Sequence, residues 1–321
     1  AVRHNPRNPR LWQTLAVVRR ELDDIAGAIT AFTEVTRLFP TDLRAAHGLA
    51  LSSLEAGLPA HALYERAHAL APSDGSLLLG SVAAELAEGR LDTAIARLDA
   101  IVAANPTWYE GQAALARMRW THGQSSKIYD GYTRALQAHP DTAALWSELL
   151  NLLGKMEQFG HMDGVIGRAR ASLGDASAFA LFEAVAASEL RDDERAERLF
   201  RAHQTITEPE IVVRHMRHLL RTGRPAEAAT RGEPLLVHPQ AAQVWPYMAV
   251  AWRLTGDPRH DWLERQPGLI GIYDLAEPLA AIPGLVPLLR QLHTQVAHPH
   301  GQSVRGGTQT HGPLFRRIEP G

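Results

Sequence analysis

"GSLLLGSVAAELAEGRLDTAIARLDAIVAANP", residues 75–106, decides the fold. Apolar residues recur at helical spacing on both sides of Gly89. Val82 lies before the glycine; Ala94, Leu98 and Ile101 lie after it, and Pro106 ends the run. The pattern predicts two amphipathic helices joined by a tight turn, with the proline stopping the second.

The same plan recurs along the chain. Pro40, Pro72, Pro106 and Pro140 are 32, 34 and 34 residues apart, and Gly57, Gly89 and Gly123 keep that rhythm. Gly174 and Pro209 extend it, and Gly223 and Gly256 rejoin it. In "PRLWQTLAVVRRELDDIAGAITAFTEVTRLFP", residues 9–40, the turn is Asp23-Asp24 and the expected buried residues are Trp12, Ala16, Ala28 and Phe32. A small residue recurs in the first helix as Ala16, Ala50, Ala116, Ala184 and Ala249. Another recurs in the second as Ala28, Ala60, Ala94, Ala196 and Ala228. Phe32, Tyr64, Tyr132 and Phe200 fill an aromatic position. Small side chains there let paired helices approach closely. A period in this range marks a repeat architecture, in which no unit buries its apolar face alone.

On these residues, positions 8–264 resemble the tetratricopeptide repeat. The resemblance implies an all-α chain of seven to eight helical hairpins, a right-handed α-solenoid whose concave face is lined by the first helix of each hairpin. The fifth and eighth units are degenerate, with Glu157 at the turn-glycine position and Asp261 at the small one.

Composition narrows the function classes. The chain has 321 residues, a formal net charge of -2 and no cysteine. Near-neutral charge supplies no argument for a nucleic-acid or membrane partner. The lack of cysteine excludes disulfides, thiolate metal sites and cysteine nucleophiles, and fits a reducing, cytoplasmic setting. No apolar run approaches the ~18 residues of a spanning helix. Phosphate-loop, nucleophile-elbow, zinc-protease and dinucleotide signatures are absent.

His161-Met162-Asp163 has the H-x-D spacing of two ligands in facial-triad iron sites. The register instead puts it on a second helix, with Met162 inward and the two polar residues on flanking, solvated positions. His293, His298 and His300 read as part of a polar connector. No catalytic or metal-binding residue is therefore assigned.

The inward positions of the first helices are more informative. They include Arg117, Trp120, Asn151, Lys155 and Arg253, and the set Arg214, Arg217 and Arg221, whose spacing makes one stripe. Guanidinium forks suit carboxylates and phosphates, so the expectation is a groove for a protein or peptide, acidic in character. The carboxylate clamp of chaperone-binding repeats is not matched, since Asn151 alone offers part of it.

After residue 264 the texture changes. A β-prone apolar run, Leu269 to Tyr273, precedes an expected helix over 285–295 and then "QSVRGGTQTHGPLF", residues 302–315. With "YDL" at 273–275 and "LRQLH" at 289–293, this series resembles bacterial proteins in which tetratricopeptide repeats precede a 2-oxoglutarate/Fe(II)-dependent oxygenase domain. The motif residues are Gln302, Ser303, Arg305, Gly306, Gly307, Thr308, Gln309 and Thr310. The resemblance implies a repeat region, 1–264, followed by a truncated α/β start of an oxygenase domain, 265–321, without its catalytic barrel. The expected parent is a protein or peptide hydroxylase using Fe(II) and 2-oxoglutarate, and this chain alone is expected to be inactive. The alternative is a non-catalytic scaffold for protein–protein interaction.

Overall fold

A computed structural model describes residue 2 and residues 4–174, 179–298, 307–310 and 314–318. The described residues form helices and no strands.

The helices pair into eight hairpins. The first four are α1 (Pro9–Glu21) with α2 (Ile25–Leu38), α3 (Leu43–Glu55) with α4 (His61–Leu70), α5 (Gly75–Ala87) with α6 (Leu91–Ala104), and α7 (Tyr109–Thr121) with α8 (Asp130–Ala138). The next four are α9 (Ala143–Lys155) with α10 (Phe159–Leu173), α11 (Ala180–Glu189) with α12 (Asp193–Ala202), α13 (Pro209–Arg221) with α14 (Pro225–Gly232), and α15 (Trp245–Thr255) with α16 (Arg259–Glu264). Two short helices follow, α17 (Ala276–Ala280) and α18 (Leu285–Leu292). One compact unit holds residues 1–138 and 286–321; the other holds 139–285. Within each unit, second helices pack between successive first helices, and first helices also meet each other, as α3 meets α5 and α13 meets α15.

One turn geometry sets the register. Each first helix ends at a residue with positive φ: Asp23, Gly57, Gly89, Gly123, Glu157, Arg191, Gly223 and Gly256. The N–H of the following residue donates back to the last turn, as Leu58 does to the Ser53 carbonyl (2.9 Å) and Arg224 to Leu219 (2.8 Å). This is the Schellman closure, which satisfies the otherwise orphaned carbonyls. Five of the eight turn residues are glycine, which takes the left-handed backbone without a Cβ penalty. Asp23, Glu157 and Arg191 adopt it at a cost of about 1 kcal/mol each.

The small positions are buried as the spacing predicts. All ten alanines of the two series are core residues. Phe32, Tyr64, Tyr132 and Phe200 are buried too. A Cβ built on Gly48 would lie 2.5 Å from the Phe32 ring, and one on Gly80 would lie 2.2 Å from the Tyr64 ring. Phe32 and Tyr64 thus each occupy the space of a missing side chain on the next first helix. Trp12 departs from expectation: it is half-buried, because its indole N–H reaches out to the Pro6 carbonyl at 2.8 Å. Trp146, in the same role four units later, is buried and donates to Pro140 at 2.9 Å.

Ala94 is fully buried among Val82, Leu98 and Leu115. Ala94→Leu is expected to overpack this contact and cost about 1–3 kcal/mol. A thermal melt checks it, and an unchanged Tm would count against the register.

The α/β start expected after residue 264 does not form in the described residues. Leu269, Ile270, Ile272 and Tyr273 are exposed and form no strand, since no neighbouring strand offers them a ladder. The expected helix over 285–295 is shorter, ending at Leu292.

Candidate partner-binding surface

Position on a first helix decides what each candidate side chain can reach. In the first unit, Arg117 is exposed on α7 and has no ion partner among the described residues. Trp120, one turn further on, is half-buried. Its indole N–H donates to the His298 carbonyl at 2.7 Å, and the His298 ring meets it edge-on at 5.2 Å. Beside it, the Val296 N–H donates to the Thr121 carbonyl at 3.0 Å. A non-helical stretch of main chain therefore already lies against the end of α7.

A second such contact lies at α3. The Ile318 N–H donates to the Ala56 carbonyl at 2.8 Å. Arg316 forks to Glu55 (3.1 Å) and Asp23 (2.7 Å), and Glu55 also holds Arg20 at 2.7 Å.

In the second unit the arginine stripe is largely engaged within the protein. Glu189, at the end of α11, takes Arg217 at 3.1 Å and Arg221 at 2.7 Å. Arg221 also donates to the Ser188 hydroxyl at 2.5 Å. The stripe therefore serves first to hold α13 to α11. Arg214 is half-buried and has no ion partner among the described residues. Exposed Lys155 and Arg253, and half-buried Asn151, lie on first helices of the same unit.

A polar cluster that the sequence reading missed sits behind this stripe. His218 is fully buried, its Nδ1 3.1 Å from the Ser188 hydroxyl and its Nε2 3.3 Å from a Glu197 oxygen, off the line of a good hydrogen bond. Serine, histidine and carboxylate in sequence look like a nucleophile relay. Here the hydroxyl is buried and already accepts from Arg221, so the group holds helices together. The hydrogen bond from Arg224 brings the Glu197 carboxyl down to about 2. Burial lowers His218 and takes His215, stacked on Phe200 at 4.8 Å, down to about 4.

Met162 is buried and His161 exposed, as the register requires, but Asp163 is not a solvated flank. It receives Arg195 at 2.7 Å, and Arg195 bridges to Glu183 at 2.6 Å. Among the described residues no three His, Asp or Glu side chains group closely enough to hold a metal ion. No helix there is long and apolar enough to cross a membrane.

Of the terminal motif, Gln302, Ser303, Arg305 and Gly306 lie outside the described residues, as does His300. Gly307, Thr308, Gln309 and Thr310 lie within them. Thr308 and Thr310 both bond the His293 ring, Thr310 at 3.0 Å from Nδ1. The segments "LRQLH" and "TQT" thus meet in space.

No family model matches the chain, and no curated protein matches it. Among solved structures, a tetratricopeptide repeat protein from Parabacteroides merdae is similar at 10% identity and a TM-score of 0.45, over 76% of this chain and 98% of that one.

Proposed function

We propose that the chain is a non-catalytic protein-interaction scaffold that holds non-helical polypeptide segments against the first helices of its hairpins. The observation that carries this reading is Trp120. Its indole N–H and the neighbouring Thr121 carbonyl together engage the main chain of residues 296–298. Main-chain bonds of this kind grip a peptide with little regard to its sequence, and side-chain contacts add selectivity.

Selectivity in the second unit falls to the first-helix cations without ion partners among the described residues, Lys155, Arg214 and Arg253. They suit an acidic peptide, with a preference that screens out as salt rises. The test titrates acidic and basic peptide pools at low and high ionic strength. The parent chain is expected to prefer the acidic pool at low salt, and the Lys155/Arg214/Arg253→Ala variant is expected to lose the preference. Equal binding of both pools by the parent overturns it.

A second reading, a repeat region serving a 2-oxoglutarate/Fe(II) oxygenase, is favoured by the bonds from Thr308 and Thr310 to His293, which join two of its motif segments. The described residues do not fit an iron site, since Asp163 is committed to Arg195 and no ligand trio is present. No oxygenase step is therefore assigned to this chain. An H-x-D…H pattern encoded beyond residue 321 would support the reading, and its absence would sink it.

A further inference from the structure

We infer that the turn edge of the first two hairpins is a docking site for a short segment bearing an arginine, and that residues 316–318 of this chain, which leave a 3-10 turn at Arg316, are its resident occupant. The inference rests on the scaffold reading but concerns a different surface and the opposite partner charge. Three features converge there. Glu55 is largely buried at the end of α3, with its carboxylate between Arg20 and Arg316. Asp23, on the left-handed turn between α1 and α2, takes the other arm of the same guanidinium at 2.7 Å. Two residues on, the Ile318 N–H closes on the Ala56 carbonyl at 2.8 Å, and Arg317 lies across Gly57, where no side chain blocks it.

The fork to two carboxylates fixes the arginine, and the main-chain bond fixes the direction of the segment. Neither contact needs the segment to be covalently attached. An arginine-bearing peptide in trans would make the same bonds, but the resident segment lowers the fraction of open sites. Its apparent affinity is reduced by that fraction. The arginine stripe of the second unit could not do this, because its charge has the wrong sign.

The test uses the full chain and a labelled peptide of residues 312–320, GPLFRRIEP. In the chain variant Arg316→Glu the resident segment is repelled and the peptide is expected to bind about tenfold more tightly than to the parent. Adding Glu55→Gln should remove that gain. Asp23→Asn, which suits the left-handed turn, gives a second reading of the loss should Glu55→Gln weaken the fold. Circular dichroism reports folding. Equal peptide binding by the parent and Arg316→Glu, or full binding when both carboxylates are neutralised, overturns the inference. The acidic-pool preference at Lys155, Arg214 and Arg253 is read separately, so either proposal can fail alone.

Discussion

Glu183→Ala is expected to destabilise the second unit by about 2–3 kcal/mol. Glu183 is a buried carboxylate on α11 that receives Arg170 from α10 and Arg195 from α12. Burial pushes its carboxyl up, but the two guanidinium groups outweigh that and bring it below the usual range. Removing it leaves arginines from two packed helices facing one another, with Asp163 still holding Arg195. A fully buried pair would cost more to break, but Arg170 and Arg195 side chains retain 33% and 26% exposure, and solvent recovers part of the loss. Denaturant unfolding at neutral pH measures it. The control is Glu34→Ala, which breaks the more exposed Arg37–Glu34 pair and should cost no more than about 0.5 kcal/mol. A double-mutant cycle with Arg195→Ala should show coupling of about 1 kcal/mol or more. If Glu183→Ala is as mild as the control, the network is not structural.

That network shows where a sequence reading stops. Period and residue size made the hairpins legible, because burial at Ala94 or Phe32 follows from local spacing alone. The turn register was legible wherever glycine marks it. At Asp23 an acidic pair marks it instead, whereas at Arg191 the same left-handed turn forms on a residue that does not announce it. Glu183 reads as one polar residue among others until α10 and α12 bring arginines to it from 13 and 12 residues away. Glu189 is the sharper case. Arg214, Arg217 and Arg221 make one stripe by their spacing, yet the partner that claims two of them lies on another helix, 28 and 32 residues earlier. An unpaired charge cannot be told from a paired one until the neighbouring helix is placed. The β-prone run at Leu269 failed for the converse reason. A strand needs a partner strand, and the described residues offer none.

The chain should lose stability as pH falls from about 6.5 towards 4, ahead of ordinary carboxylate titration. His215 is buried against Phe200, and burial, followed by the charge of Arg231, lowers it to about 4. Glu197 works against that shift, while His218 and Arg224 add to it. The folded-state value lies below the unfolded one, so within this window the unfolded chain binds more protons. Stability is therefore fully present above the unfolded value and is lost as pH falls through the window. For His215 the total loss is on the order of 3 kcal/mol once the pH is below 4. His218, lowered by its own burial, adds to the loss in the same direction. Glu197, held at about 2 by Arg224, contributes only at lower pH, below the ordinary carboxylate value. Unfolding followed at pH 7.5, 6 and 4.5 should thus show a falling midpoint. His215→Phe keeps a ring against Phe200 and removes the proton site, so its slope across this window should be shallower than the parent's. A parent chain as stable at pH 4.5 as at 7.5, or a His215→Phe slope equal to the parent's, would mean that His215 does not hold out against protonation in the folded state.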